Sequence, residues 1–296
     1  MKAIYSDRYI VDLEAHIFNT GKYLQVKEEL LTYGFELLEP DPPAWSDLGI
    51  VHTREYLKDL KRCRRTDWTG RSELPIRKDV ITAQRIGAGG TLLTCKIALQ
   101  ERIGLHIGGG LHHAYPDHAE GFCYINDVGY AVKSLRRVGR IDDCLIVDCD
   151  LHQGNGNAYI FKDDPSVYTF SIHQQDIYPE KEKSDLDIGL EPFVTDATYL
   201  QLLADGLKQT LNREYDLSIY IAGSDPYEKD RLGQLRLTIP GLQARDRLVL
   251  ETLKDLSIPV AILMGGGYAE HFEDTVKIHV NTGLVALEIF EDREET

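Results

Sequence analysis

The sequence predicts an α/β fold, a mainly parallel β-sheet with helices on both faces. Three observations lead there. Short, wholly apolar runs recur along the chain, such as Cys144-Leu145-Ile146-Val147, Leu217–Ala222 and Val260–Met264. Longer stretches with helical periodicity separate them. Several of these runs end in glycines or in side chains that carry chemistry, which is where open parallel sheets bind ligands.

Residues 1–80 are mixed, with short helical patterns near Leu24–Tyr33 and Arg54–Cys63, then a polar loop over Arg64–Ile76. From about residue 80 the rhythm becomes regular. Thr82–Arg102 reads as a helix whose Gly89-Gly90 pair allows close packing, and Gly104–Gly108 as a strand. Asp127–Val138 is a helix and Asp143–Cys149 a strand. Val167–Ile172 is a strand with His173 at its end. Thr195–Arg213 reads as a helix, Leu217–Ala222 as a strand and Leu242–Leu256 as a helix. Pro259–Met264 is a strand, and Ala269–Leu287 is mostly helical. The long loops 109–126 and 173–194 both follow strands, and long ordered loops in compact domains carry function. No linker, low-complexity segment or internal repeat divides the chain, so residues 1–296 read as a single domain.

The hydrophobic fraction of 43% supports a sizeable core. A formal net charge of −15, from 48 acidic and 33 basic residues, disfavours nucleic acid and anionic membrane as general partners. The five cysteines are odd in number and lack CxxC spacing, so buried thiols in a reducing compartment are expected. No signal-peptide-like stretch opens the chain and no apolar run reaches membrane length, so a soluble cytoplasmic protein is expected. The pattern does not disclose the oligomeric state.

The chemistry concentrates at four places. Asp148, Asp150 and His152 alternate at the end of an apolar run and so project to one face. Asp150 and His152, with Asp225 after the run Leu217–Gly223, make an oxygen-rich Asp-His-Asp set for a divalent transition metal. Three protein ligands leave room for water and substrate. The plainer reading of such a cluster is structural hydrogen bonding at a strand end. His112 and His113 follow a glycine turn. Neighbouring side chains do not easily share one metal, but they serve well as a proton-handling pair. Asp148 is a natural partner for one ring and Asn155 for the other. Tyr268 follows Gly265-Gly266-Gly267, where glycines admit close approach and a hydroxyl can face an oxyanion. Taken alone, Tyr268 reads better as an ordinary core tyrosine after a turn. Gly121-Phe122 and Ile177-Tyr178-Pro179 supply aromatics for the walls of a narrow channel, or for ordinary loop packing.

Together these stretches resemble the histone deacetylase family, whose fold is arginase-like. The matching segments are GGGLHHA (108–114), GFCYIND (121–127), IVDCDLHQGNG (146–156), FSIH (170–173), AGSD (222–225) and GGGY (265–268). Weaker matches are HIFNTGKY (16–23) and VHTREYL (51–57). The HQGNG form, the IYP loop and the compact length look most like the class IV branch and its bacterial relatives.

The resemblance implies roles position by position. Asp150, His152 and Asp225 match the zinc ligands, with iron(II) an alternative metal. His112 and His113 match the paired histidines, and Asp148 the carboxylate that orients the first. Asn155 stands where class I members have aspartate. Tyr268 matches the carbonyl-polarising tyrosine. Gly121, Phe122 and Tyr178 match the walls of the acyl-lysine channel, and Leu232, Gly266 and Gly267 belong with the substrate-contacting set. Asp148, Asp150, His152, Ser171 and Ile172 match a monovalent cation site, normally K+. Arg231 replaces a proline common in the family's rim loop. Leu232 falls where acetylpolyamine-selective members carry an acidic gatekeeper, which favours an acyl-lysine side chain over a free polyamine.

The implied reaction is zinc-dependent hydrolysis of N-ε-acyl-lysine, with attack by metal-activated water, proton shuttling by the histidine pair and oxyanion stabilisation by Tyr268. Three alternatives differ in what they require. An arginase-type ureohydrolase needs two manganese ions and DxHxD order, whereas this chain has DxDxH. A non-catalytic acyl-lysine binder would lack a ligand or Tyr268, and both are present. A deacetylase of a small acetylated amine or metabolite differs in the mouth loops, which a sequence pattern resolves poorly.

Overall fold

The computed structural model describes residues 1–291. The apolar runs form the sheet. Its strands are β1 (Lys2–Ile4), β2 (Glu36–Leu38), β3 (Ile103–His106), β4 (Cys144–Asp148), β5 (Val167–Gln174), β6 (Leu186–Leu190), β7 (Leu217–Ile221) and β8 (Val260–Leu263). They lie in the order β2-β1-β3-β8-β7-β4-β5-β6, and every neighbouring pair is parallel. The helices are α1 (Gly21–Thr32), α2 (Arg54–Lys61), α3 (Lys78–Glu101), α4 (Asp127–Arg137), α5 (Asn155–Phe161), α6 (Asp196–Thr210), α7 (Ile239–Asp255) and α8 (Phe272–Phe290).

Side chains alternate across each central strand, and both faces are apolar because helices cover both. Leu145 and Val147 of β4 join the larger core with Val260 and Ile262 of β8. Cys144 and Ile146 join the other layer with Ala261 and Leu263, against Val128, Ala131 and Leu135 of α4. Helix starts carry the expected caps. Asn126 accepts from Gly129 N at 2.6 Å at the head of α4, and Thr238 accepts from Gly241 N at 3.0 Å at the head of α7.

The regular elements after residue 80 appear in the predicted order, most shifted at their ends. Helix α3 starts at Lys78, before the expected Thr82. Four elements escaped the pattern. Strands β1 and β2 have three residues each, too few to display alternation. Strand β6 lies inside 173–194, which is therefore not all loop; as an edge strand it alternates between half-buried and exposed positions until Leu190. Helix α5 begins inside the glycine-rich HQGNG segment and has seven residues.

The topology has one consequence for the site. Strands β3, β8, β7 and β4 are far apart in sequence but adjacent at the centre of the sheet. Being parallel, they deliver their C-terminal ends to the same edge.

Candidate active site

Four strand ends build the site. Beyond β4 come Asp150 and His152, beyond β7 Asp225, beyond β3 the Gly108–His113 turn, and beyond β8 the Gly265–Tyr268 turn. All the polar side chains named are buried.

The ligand atoms of Asp150, His152 and Asp225 lie within 4.8 Å of one another. Nδ1 of His152 stands 3.3 Å from Oδ1 of Asp150 and 3.2 Å from Oδ2 of Asp225. Backbone donors hold the remaining carboxylate oxygens. Gly266 N donates to Asp150 Oδ2 at 2.8 Å, and Leu151 N to Asp225 Oδ1 at 2.9 Å. Oδ2 of Asp225 is buried and faces the His152 ring, with no well-aligned hydrogen bond.

Electrostatics reads the same way. Burial opposes charge on His152, but the flanking carboxylates of Asp150 and Asp225 outweigh it and push the ring up to about 10. Burial lifts the Asp225 carboxyl, and the neighbouring Asp150 lifts it further. Two buried carboxylates sharing one imidazole are short of positive charge. The proton on His152 stands where a cation fits better, so this donor set suits a divalent metal.

The paired histidines lie beside it. His112 Nδ1 is 2.8 Å from Asp148 Oδ2, and His113 Nδ1 is 2.7 Å from Asn155 Oδ1. Their Nε2 atoms approach to 3.0 Å. Two lone pairs or two N–H groups would repel at that distance, so one ring donates and the other accepts. The environments choose which. Burial disfavours charge on both rings. At His112, Asp148 and Asp150 overcome it and raise the ring to about 9. At His113, burial and the nearby charges of His112 and His152 hold it well below the usual imidazole range. Asn155 contributes orientation but no charge. Its amide nitrogen donates onward to the Tyr115 hydroxyl at 3.2 Å and to Glu120 at 3.4 Å.

Tyr268 lines the same inner cavity as Asp150, His152 and the two histidines, together with Gly265 and Gly266. Gly267 is outside that lining; at φ +154°, a Cβ there would strike the Ser224 hydroxyl. Phe122 packs edge-on against Tyr268 at 5.8 Å, and Tyr178 against His113 at 5.5 Å. Gly121, Phe122, Tyr178 and Leu232 all line a mouth cavity of about 260 Å³ in front of the histidines. Ser171 is paired in register with Asp148, its hydroxyl 2.9 Å from His173 Nδ1, and Ile172 is buried beside it.

The structure adds residues that the sequence pattern missed. Asp230 accepts from Tyr268 N at 2.6 Å and from Leu232 N at 2.9 Å, while Arg231 Nε donates to Tyr268 O at 3.1 Å. The neighbours Asp230 and Arg231 thus grip both backbone polar groups of Tyr268. The available signal was the departure at Arg231. Lys22 is fully buried, with Nζ 5.6 Å from the Tyr268 ring centre and 3.3 Å from Gly265 O. Burial lowers it to about 8 against the pull of Asp225, Asp150 and Asp230. Its signal was the weak match at 16–23. Asp127 accepts from Gly110 N at 2.9 Å and Leu111 N at 2.7 Å, anchoring the turn before the histidines.

A central parallel sheet with a buried Asp-His-Asp group at its strand ends defines a class of α/β protein whose site could hold a metal ion. Comparison with known proteins narrows this to a family. The histone deacetylase domain model matches residues 16–282, and the chain belongs to the histone deacetylase family. It is 38% identical to an uncharacterized protein of Picosynechococcus sp., over 93% of this chain and 95% of that one. It is 30% identical to histone deacetylase 2 of Arabidopsis thaliana, over 95% of this chain and 79% of the relative. Among solved structures, the acetylpolyamine aminohydrolase of Burkholderia pseudomallei superposes with a TM-score of 0.83 at 19% identity, covering 98% of this chain and 99% of that one. A histone deacetylase homologue from Aquifex aeolicus gives 0.80 at 21% identity, covering 96% and 83%. The family makes the protein a hydrolase of the deacetylase type. No helix among the described residues is long and apolar enough to cross a membrane.

Proposed function

We propose that this protein hydrolyses the amide of an N-ε-acyl-lysine side chain, with Asp150, His152 and Asp225 holding one zinc ion. The observation that carries the reading is the convergence of that donor set, the unequal histidine pair and Tyr268 on one inner cavity. Zinc supplies a Lewis acid for the acyl carbonyl and lowers the pKa of water; iron(II) would serve the same way.

The chain's own residues do the rest. The aliphatic stem of the substrate runs between Phe122 and Tyr178. The Tyr268 hydroxyl, kept protonated because burial raises its pKa, donates to the oxygen that becomes the oxyanion. Neutral His113 takes the proton of the attacking water. His112, charged beside Asp148, carries the proton that leaves with the lysine amine. Asp148 and Asn155 orient the two rings. A monovalent cation near Asp148, Asp150, His152, Ser171 and Ile172 would support the same segment.

The test is turnover of a panel of acyl-lysine peptides, acetyl through myristoyl, by zinc-loaded protein and by Tyr268→Phe. Turnover should fall about 100-fold or more in the variant, the scale of losing one oxyanion donor, with zinc content unchanged. Full activity in Tyr268→Phe would remove the oxyanion role. No turnover of any peptide by protein carrying one zinc per chain would sink the acyl-lysine reading and favour small acetylated amines.

A further inference from the structure

Resting on the deacylase reading, we propose that Glu120 and Tyr115 are positioning residues for the base. Together they fix which way the Asn155 amide lies, and so which nitrogen of His113 is free to take the proton of the attacking water.

A carboxylate behind His113 would present an oxygen to Nδ1 whichever way it lay. An amide carries one oxygen and one NH2 group, so its two orientations are opposite in kind. With Oδ1 toward the ring, Nδ1 holds the proton and Nε2 keeps its lone pair. With the NH2 group toward the ring, Nδ1 must accept, and the proton moves to Nε2, the nitrogen that faces His112. The base needs the first arrangement. This chain has the amide, with Asn155 Oδ1 2.7 Å from His113 Nδ1.

Two acceptors beyond Asn155 select that arrangement. Its Nδ2 lies 3.2 Å from the Tyr115 hydroxyl oxygen and 3.4 Å from Glu120 Oε1. Tyr115 donates its own proton to Glu182 at 3.1 Å, so toward Asn155 it only accepts. Burial opposes charge on Glu120, but the His118 ring, the Tyr178 hydroxyl and the Asn155 amide outweigh it and hold the carboxyl below the ordinary glutamate value. An ionised carboxylate offers acceptors only. A flipped Asn155 would set oxygen against oxygen at both contacts.

The fold holds both groups in place. Glu120 N donates to Cys123 O at 3.0 Å and Cys123 N donates to Glu120 O at 2.8 Å, closing a tight turn at Gly121. Gly121 has φ +47°, and a Cβ there would meet the His113 ring at 2.5 Å, so the turn lies against the ring that Glu120 serves. The second Glu120 oxygen is 3.4 Å from His118 Nε2, and the His118 ring stacks on Tyr115 at 4.3 Å. Glu120 is outside the lining of the mouth cavity, so its action runs through Asn155.

Two readouts test the inference. The first is the tautomer of His113, read by long-range proton–nitrogen NMR of the histidine rings in zinc-loaded protein, with His113→Gln assigning the signal. Wild type should show the Nδ1–H form. Glu120→Ala and Tyr115→Phe each remove one acceptor and should populate the Nε2–H form. The second is a kinetic cycle on an acetyl-lysine peptide, each protein at its own pH optimum. Glu120→Ala should lower kcat about tenfold with Asn155 in place, a coupling usual within one hydrogen-bond network. In Asn155→Asp the same change should cost little, because a carboxylate needs no orienting. An equal loss in both backgrounds would mark Glu120 as merely structural and overturn the inference. So would His113 in the Nδ1–H form in both Glu120→Ala and Tyr115→Phe. No turnover by wild type would overturn the deacylase reading. The spectra need no substrate, so a changed tautomer in the variants would still support the positioning, and an unchanged one would overturn it as well.

Discussion

An imidazole held by an amide differs from one held by a carboxylate. His113 leans on Asn155 and stays neutral, whereas His112 leans on Asp148 and holds its proton. Asn155→Asp would place a negative charge at hydrogen-bond distance from His113 and raise its pKa. If neutral His113 is the base, the acidic limb of the kcat/KM–pH profile must move to higher pH in that variant. An unmoved limb would assign the base elsewhere. The proposed metal site gives a second residue-scale expectation. Asp225→Ala removes one of three donors. It should abolish zinc retention on dialysis, read by metal analysis, while Tyr268→Phe retains it.

At the scale of elements, the site depends on how closely backbones approach. The first turn of α5 lies on the segment that carries the histidines. A Cβ on Gly156 would come within 2.6 Å of the carbonyl oxygens of His112 and Ala114. Gly156→Ala must therefore push α5 and the histidine turn apart. We expect kcat to fall by about 100-fold, the effect of displacing reacting groups by ~1 Å, with zinc content retained. A second contact joins the ends of β4 and β7. Arg245 is wholly buried, donating to Gly223 O at 2.6 Å and Cys149 O at 3.3 Å. Asp246 pairs with it at 2.8 Å and accepts from Tyr220 and Thr282. Arg245→Met would strand the Asp246 charge and should cost about 3–5 kcal/mol in denaturant unfolding.

For the whole molecule, buried neutral histidines contribute to the acid response. His52 donates from Nδ1 to Tyr115 O at 3.0 Å and accepts at Nε2 from Asn126 N at 3.0 Å, and burial lowers it to about 4. The folded state then binds fewer protons than the unfolded chain between about pH 4 and the unfolded value of 6.5. Stability from this group is fully present above pH 6.5 and is lost as pH falls toward 4, by about 3 kcal/mol. His106, lowered to about 3 by burial, adds in the same direction. His52→Gln should therefore lose less stability than wild type between pH 7 and 4, read from urea midpoints at each pH. An equal loss in the two proteins would contradict the buried neutral state.

Legibility followed the range of the interactions. The strands at Cys144–Asp148 and Leu217–Ile221 were readable because burial on both faces writes an unbroken apolar run. Asp150 with His152, and the adjacent His112 and His113, stood out because their spacings are local, whereas Asp225 joins them only through the fold. Strand β6 was not readable, since an edge strand lacks that run, and neither was α5, hidden behind glycines. Lys22 and Asp230 were hard to assign to the site because their partners, Gly265 and Tyr268, lie far away in sequence. The sequence by itself determined the α/β class, the apolar strands and the chemical groups at their ends, since burial pattern and side-chain chemistry are properties of short segments. Only the tertiary structure decided that β8 inserts between β3 and β7, bringing Tyr268 opposite His112 and Asp225 beside His152. Strand order is set by how crossover helices pack over the whole sheet, and no local pattern encodes that.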